Sequence, residues 1–170
     1  SPTYLGALDV FRWHGAKVIG VPVDQHGLRV DLLEELIAAH EPRLIYTIPD
    51  FHNPTGLTMG LERRQRLLEL ARRYDVIVLE DGVCSELRYQ GAPVASLRAL
   101  DGGERVVYLN SFSKFLLPGI RVGYVVVPQR LRERLVRGKQ AADLLTGPLM
   151  QRALARYLEG GRLAAHLETV

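Results

Sequence analysis

Four apolar runs constrain this chain more than any other feature: Leu44-Ile45-Tyr46-Thr47-Ile48, Val76-Ile77-Val78-Leu79, Val106-Val107-Tyr108-Leu109 and Val122 to Val127. The second and third are unbroken by polar residues, so they read as strands buried on both faces. Lys17 to Val23, β-branched and apolar, reads as a fifth strand, closed by Pro22 and the turn Asp24-Gln25-His26-Gly27. Helical spacing fills the intervals. Leu5, Leu8 and Phe11 mark a helix from Tyr4 to His14, and Asp31 is placed to cap a helix through Leu32, Leu33, Leu36 and Ile37. Between Leu61 and Tyr74, Leu67, Leu68, Leu70 and Ala71 point inward, while Arg63, Arg64, Arg66, Arg72 and Arg73 read as a solvated face. Gly91 to Gly103 reads as mostly loop. Beyond Pro128 two helical stripes, Leu131/Leu135/Val136 and Leu149/Leu154/Leu158, are broken apart by Gly147-Pro148. Strands alternating with helices at this spacing predict an α/β, three-layer α/β/α fold with a mostly parallel sheet.

Composition sets the limits. The chain has 170 residues, 47% hydrophobic and 24% charged, enough for one domain with a real core. A net charge of +3, spread over amphipathic stretches, argues against a nucleic-acid patch within these residues. The single cysteine, Cys84, excludes an internal disulfide framework, and no run approaches the ~18 apolar residues of a membrane span. The expectation is a soluble cytoplasmic protein. The chain opens on Ser1-Pro2-Thr3-Tyr4 and stops inside a helical stretch at Val170, so it is expected to be a piece of a longer protein.

Chemistry gathers where strands end. In a parallel sheet, loops leaving different strands at the same edge converge, and ligands are met there. Asn53 lies in such a loop, in the turn Asn53-Pro54-Thr55-Gly56. Asp81 closes an apolar strand, where a carboxylate is costly to bury without a partner. Lys114 follows the next strand in Ser111-Phe112-Ser113-Lys114, with Arg121 close behind. Each has an ordinary alternative: a structural turn for Asn53, a helix cap or ion pair for Asp81, and solvated charges for Lys114 and Arg121. Together they ask for a ligand with a carbonyl for the amine, a phosphate for Arg121, Ser111 and Ser113, and a basic ring nitrogen for Asp81. Pyridoxal 5′-phosphate answers each clause. No metal-ligand pattern is read.

The ordered motifs Asn53-Pro54-Thr55-Gly56, Glu80-Asp81, Ser111-Phe112-Ser113-Lys114 and Pro118-Gly119-Ile120-Arg121-Val122-Gly123-Tyr124 resemble those of fold-type I, class I/II pyridoxal-phosphate aminotransferases. The nearest likeness is to the branch holding 2-aminoadipate aminotransferases and MocR-type regulators, carried by Phe51-His52-Asn53, Ser85-Glu86-Leu87-Arg88-Tyr89 and Lys139-Gln140-Ala141-Ala142-Asp143. The resemblance covers nearly the whole chain, and it implies that residues 1–170 are the central part of a large, cofactor-binding domain, with an N-terminal segment and a C-terminal small domain lying outside. It implies Lys114 as the Schiff-base lysine and proton carrier, Asp81 as partner of the ring nitrogen, and Asn53 at the phenolic oxygen. Ser111, Ser113 and Arg121 would hold the phosphate, and Tyr4 is assigned to stack near the ring.

One departure stands out. Three residues after the aspartate, where the family carries a tyrosine, this chain has Cys84, a weaker donor. The resemblance further implies amino-acid and 2-oxo-acid substrates and a homodimer when full length. Two other readings stay open. One is an effector-sensing domain of a MocR-type regulator, with DNA binding only through a winged helix before Ser1. The other is a different pyridoxal-phosphate reaction, such as a β-lyase, on the same scaffold.

Overall fold

In the computed structural model, which describes residues 2–170, the chain begins with helix α1 (Leu5–Trp13). The stretch expected as a strand from Lys17 to Val23 is mostly unpaired. Only Val23–Asp24 (β1) pairs, antiparallel, with Gly27–Leu28 (β2). Among the described residues no neighbouring strand supplies the other hydrogen bonds. This segment and the third strand instead wall a cavity of about 600 Å³, lined by Val18, Ile19, Val21, Ile45 and Tyr46 among others.

A 3-10 turn at Val30–Leu32 then leads into α2 (Leu33–His40). Asp31 is not its cap. The Arg29 guanidinium claims that carboxylate at 2.8 and 3.1 Å, and Leu32 takes the cap position without a side-chain bond.

The main sheet is built from β3 (Leu44–Thr47), β4 (Ile77–Asp81), β5 (Val106–Ser111) and β6 (Gly123–Val126), in that spatial order. β3, β4 and β5 run parallel, and β6 returns antiparallel beside β5. Between them come α3 (Leu61–Arg73) and α4 (Leu97–Asp101), and after β6 come α5 (Gln129–Asp143), α6 (Pro148–Glu159) and α7 (Arg162–Leu167). α4 lies inside the stretch expected as loop. Its caps come from Ser96, whose hydroxyl accepts from Ala99 N–H at 3.1 Å, and from Glu80 far upstream. The Glu80 carboxylate accepts from Leu97 and Arg98 N–H, each at 2.8 Å, which satisfies donors that a helix start leaves orphaned.

Register gives the two faces of the sheet different work. Ile45, Val78 and Val106 are paired neighbours and share a face. They join Leu33, Ile37, Leu67, Leu68, Ala71 and Leu97 in the main core, so α2, α3 and α4 cover that side. Tyr46, Leu79, Asp81 and Ser111 project from the opposite face, where α1 meets Tyr46 through Phe11. That face is only half-buried along Leu79 and Leu109. A second, separate core forms under the β5–β6 loop. Phe112, Phe115, Ile120 and Val122 pack there on Leu154 of α6, with Leu163 and Leu167 of α7 alongside.

One arginine of the expected solvated face of α3 is wholly buried. Arg64 occupies the same helical stripe as Leu67, Leu68 and Ala71, and its guanidinium is held by Asp50 at 2.9 and 3.1 Å and by the carbonyls of Met59, Ala95 and Pro49.

Candidate active site at the carboxyl edge of the sheet

Because β3, β4 and β5 are parallel and in register, the loops carrying Asn53, Asp81 and Lys114 all leave the same edge. Asp81, the last residue of β4, is 8% exposed. Tyr46 pairs with Leu79, two residues earlier, so the two side chains stand on one face as diagonal neighbours. The Tyr46 hydroxyl donates to Asp81 Oδ2 at 2.7 Å, and the Val83 N–H donates to Oδ1 at 3.2 Å. Both carboxylate oxygens are thereby oriented from within the chain. Each keeps acceptor capacity for a further donor. Burial, and then the bond to Asp81, push the Tyr46 phenol well above its ordinary pKa, and Tyr4 adds to the shift, which places Tyr4 in this neighbourhood.

Two hydroxyls meet where β5 ends. Ser111 Oγ donates to Ser113 Oγ at 3.0 Å and accepts the Ser113 N–H at 3.2 Å. The loop that follows is closed by Phe112 N–H donating to Val122 O at 3.2 Å, which brings Arg121 back towards the serines. Arg121 has left-handed backbone, φ 52, uncommon for a side-chain-bearing residue and concentrated at ligand sites. Its guanidinium is exposed and donates only to Pro118 O at 3.4 Å. Lys114 is also exposed, and among the described residues no ion pair uses Lys114 or Arg121.

Cys84 reports where these charges sit. Burial pushes its thiol up, the Lys114 charge pulls it down, and Asp81 pushes it up again. The thiol therefore lies within electrostatic reach of both the amine and the carboxylate. The turn that carries it is braced by Tyr108. The Tyr108 hydroxyl accepts from Asn110 Nδ2 at 2.8 Å and bonds Ser85 Oγ at 3.2 Å, and its ring fills the space a Cβ on Gly82 would need.

The third loop is tied to the second from below. Asp50 accepts from Arg64 and also from Arg88 at 2.8 Å, and the Arg88 guanidinium lies 4.7 Å from the centre of the Phe51 ring. Arg88 belongs to the segment after Asp81, so the Asn53 and Asp81 loops share one anchor. Asn53 is exposed, follows the left-handed Phe51 (φ 50) and precedes a cis Pro54. Neighbouring His52 has its imidazole pKa lowered by burial.

The structure thus puts Asp81 and the loop of Lys114 at one edge of the sheet and joins Ser111 to Ser113, with Tyr4 close enough to Tyr46 to act on its phenol. Among the described residues it leaves the side chains of Asn53 and Arg121 without bonds to the other candidates. Three contributors were not read from the sequence: Tyr46, Asp50 and Arg88. Tyr46 was findable, since a strand aligned with Val76–Leu79 puts it on the face of Asp81. The donor set suits a phosphorylated pyridine aldehyde. An oriented anionic acceptor, paired hydroxyls, and an exposed guanidinium and amine that take part in no ion pair among the described residues all lie on loops at one edge.

Comparison with known proteins agrees with that chemistry. The profile of the family Aminotransferase class I and II matches residues 1–168. Aromatic-amino-acid aminotransferase 1 of Thermococcus litoralis is 42% identical over all of this chain and 42% of its own length. The probable rhizopine catabolism regulatory protein MocR of Rhizobium meliloti is 36% identical over 98% of the chain and 33% of its own length. The crystal structure of Pyrococcus horikoshii kynurenine aminotransferase, in complex with PMP, superposes with a TM-score of 0.95 at 41% identity, over 99% of this chain and 43% of that one. That of the alpha-aminoadipate aminotransferase of Thermus thermophilus, complexed with N-(5′-phosphopyridoxyl)-L-leucine, gives 0.94 at 38% identity, over 99% and 44%. The chain spans less than half the length of these relatives. With the family matched over residues 1–168 and a relative 42% identical over all of it, this chain belongs to the class I and II aminotransferases.

Proposed function

We propose that the protein carrying this chain moves an amino group between an amino acid and a 2-oxo acid, with pyridoxal 5′-phosphate bound at the carboxyl edge of the sheet. The observation that carries the reading is Asp81, held by Tyr46 and the Val83 N–H with acceptor capacity left on both oxygens, at the same edge of the sheet that the loop of the exposed Lys114 leaves. The cofactor supplies an electron sink that a cationic ring keeps efficient. Asp81 would hold the ring proton in place. Ser111, Ser113 and Arg121 would take the phosphate, Asn53 would meet the ring's phenolic oxygen, and Tyr4 would pack beside it. Lys114 Nζ would hold the aldehyde and would take and return the proton at the substrate Cα. The substrates are amino acids and 2-oxo acids, and the active form is a homodimer.

The match to MocR over nearly the whole chain supports a second reading, in which the same domain senses an effector for a DNA-binding partner domain. An amino-donor screen on the full-length protein separates them. Turnover with loss of the bound cofactor's visible absorbance, abolished by Lys114→Ala, supports the enzyme. Cofactor binding without turnover, together with a basic winged helix before Ser1, supports the regulator. A visible band that survives Lys114→Ala removes Lys114 from its role.

A further inference from the structure

We infer that Tyr46 is a positioning residue for the reaction: its hydroxyl fixes the plane of the Asp81 carboxylate and so sets how firmly that carboxylate holds a protonated ring nitrogen. The inference rests on the reading of Asp81 given above. Its own basis is the geometry around β3 and β4.

A carboxylate at a strand end can turn about its terminal bond, since such torsions are broad and roughly two-fold. Asp81 is prevented from doing so by two donors aimed at different oxygens, the Tyr46 hydroxyl at 2.7 Å and the Val83 N–H at 3.2 Å. The phenol is the shorter of the two. It is also the one delivered by a different strand, so it ties β3 to the site. Its own position is over-determined. Phe11 of α1 packs edge-on against it, ring centres 5.6 Å apart at 70°, and the strand register fixes its height relative to Asp81. A phenol held beside an anion donates its proton, and a charge-assisted bond of this kind is about twice as strong as a neutral one. By stabilising the ionised carboxylate, Tyr46 favours the form that pairs with a cationic ring. Among the described residues the Tyr46 hydroxyl hydrogen-bonds Asp81 and none of Lys114, Ser111, Ser113 and Arg121. It acts through Asp81 alone.

This predicts a coupling that a merely structural role would not show. In the full-length protein, with pyridoxal 5′-phosphate as the probe, Tyr46→Phe keeps the ring against Phe11 and removes only the hydroxyl. It should weaken cofactor affinity about tenfold, the scale of one hydrogen bond to a charged group. In an Asp81→Asn background the same substitution should change affinity less than about twofold, because no anion remains to be oriented. The pH titration of the bound cofactor's absorbance should shift with Tyr46→Phe and not with the second substitution added to Asp81→Asn. Equal effects in both backgrounds, or no effect in the first, overturn the inference. If Tyr46→Phe does not fold, isotope-labelled tyrosine in the native and Asp81→Asn proteins decides the matter: one phenol resonance should move, and none moving overturns it. Failure of the native protein to bind pyridoxal 5′-phosphate sinks the proposed function itself. Native binding with uncoupled substitutions sinks only the role of Tyr46.

Discussion

Arg64 and Asp50 form an ion pair closed to water, the guanidinium fully buried and meeting both carboxylate oxygens at 2.9 and 3.1 Å. The pair sits under the loop that carries Asn53, and Arg88 joins it from the loop after Asp81. Removing one partner strands the other charge in the core. Asp50→Ala should therefore cost about 3–5 kcal/mol of unfolding free energy in urea titrations, far more than an exposed carboxylate would. Arg88→Ala should cost less, because Arg64 still neutralises Asp50, yet it should loosen the link between the two loops. Faster amide exchange at residues 51–56 is the measurement.

Cys84 offers a test of the site that needs no cofactor. Burial raises its thiol pKa, so alkylation of the native protein at neutral pH should be slower than that of a small free thiol and should accelerate as pH rises. The Lys114 charge lowers that pKa and Asp81 raises it. Lys114→Ala should slow the reaction and Asp81→Asn should speed it, each by a few-fold. Two substitutions with the same sign would break the placement of the thiol between them.

Glu80 links sheet stability to pH. Burial raises its carboxyl pKa, while the Arg98 and Leu97 N–H groups pull the other way. A raised folded value means the folded chain holds this proton to higher pH than the unfolded chain does. The contribution is complete below the ordinary glutamate value of about 4.3 and is lost as pH rises through the folded value. Glu80→Gln cannot titrate. Melting temperatures measured at several pH values should show the native protein gaining on Glu80→Gln as pH falls from neutrality towards that ordinary value, and a constant difference would contradict the assignment.

Gly82 admits no side chain while the Tyr108 ring occupies its flank. Gly82→Ala should push the ring aside, disturbing its bonds to Asn110 and Ser85, and should destabilise by about 1–3 kcal/mol, the usual scale for overpacking. Pairing it with Tyr108→Leu should recover part of that loss. No recovery would place the strain elsewhere.

The sheet is legible in the sequence because its apolar runs are unambiguous, and the edge where the candidate site is proposed is legible because Asn53, Asp81 and Lys114 follow such runs. Arg64 is misplaced when residue type is weighed above position. It lies three and four residues before Leu67 and Leu68, on the inward stripe, and the distant Asp50, with the carbonyls of Pro49, Met59 and Ala95, makes that tolerable. Helix α4 escapes sequence reading because its five residues carry too little periodicity, and part of its cap comes from Glu80, which precedes Leu97 by 17 residues. The Lys17–Val23 stretch departs from the strand expected of it for a different reason. Its β-branched composition suits a sheet, yet pairing needs a neighbour that these residues do not supply.

The division of apolar packing into two bodies has a consequence for how the molecule comes apart. The carboxylate rides on strands anchored in one body, whereas the amine rides on a loop anchored in the other, beside α6 and α7, with His166 of α7 reaching the Phe115 carbonyl at 2.8 Å. Gentle heating or a cavity made by Leu154→Ala should release the loop of Lys114 first, so amide exchange around residues 112–117 should quicken before secondary structure is lost.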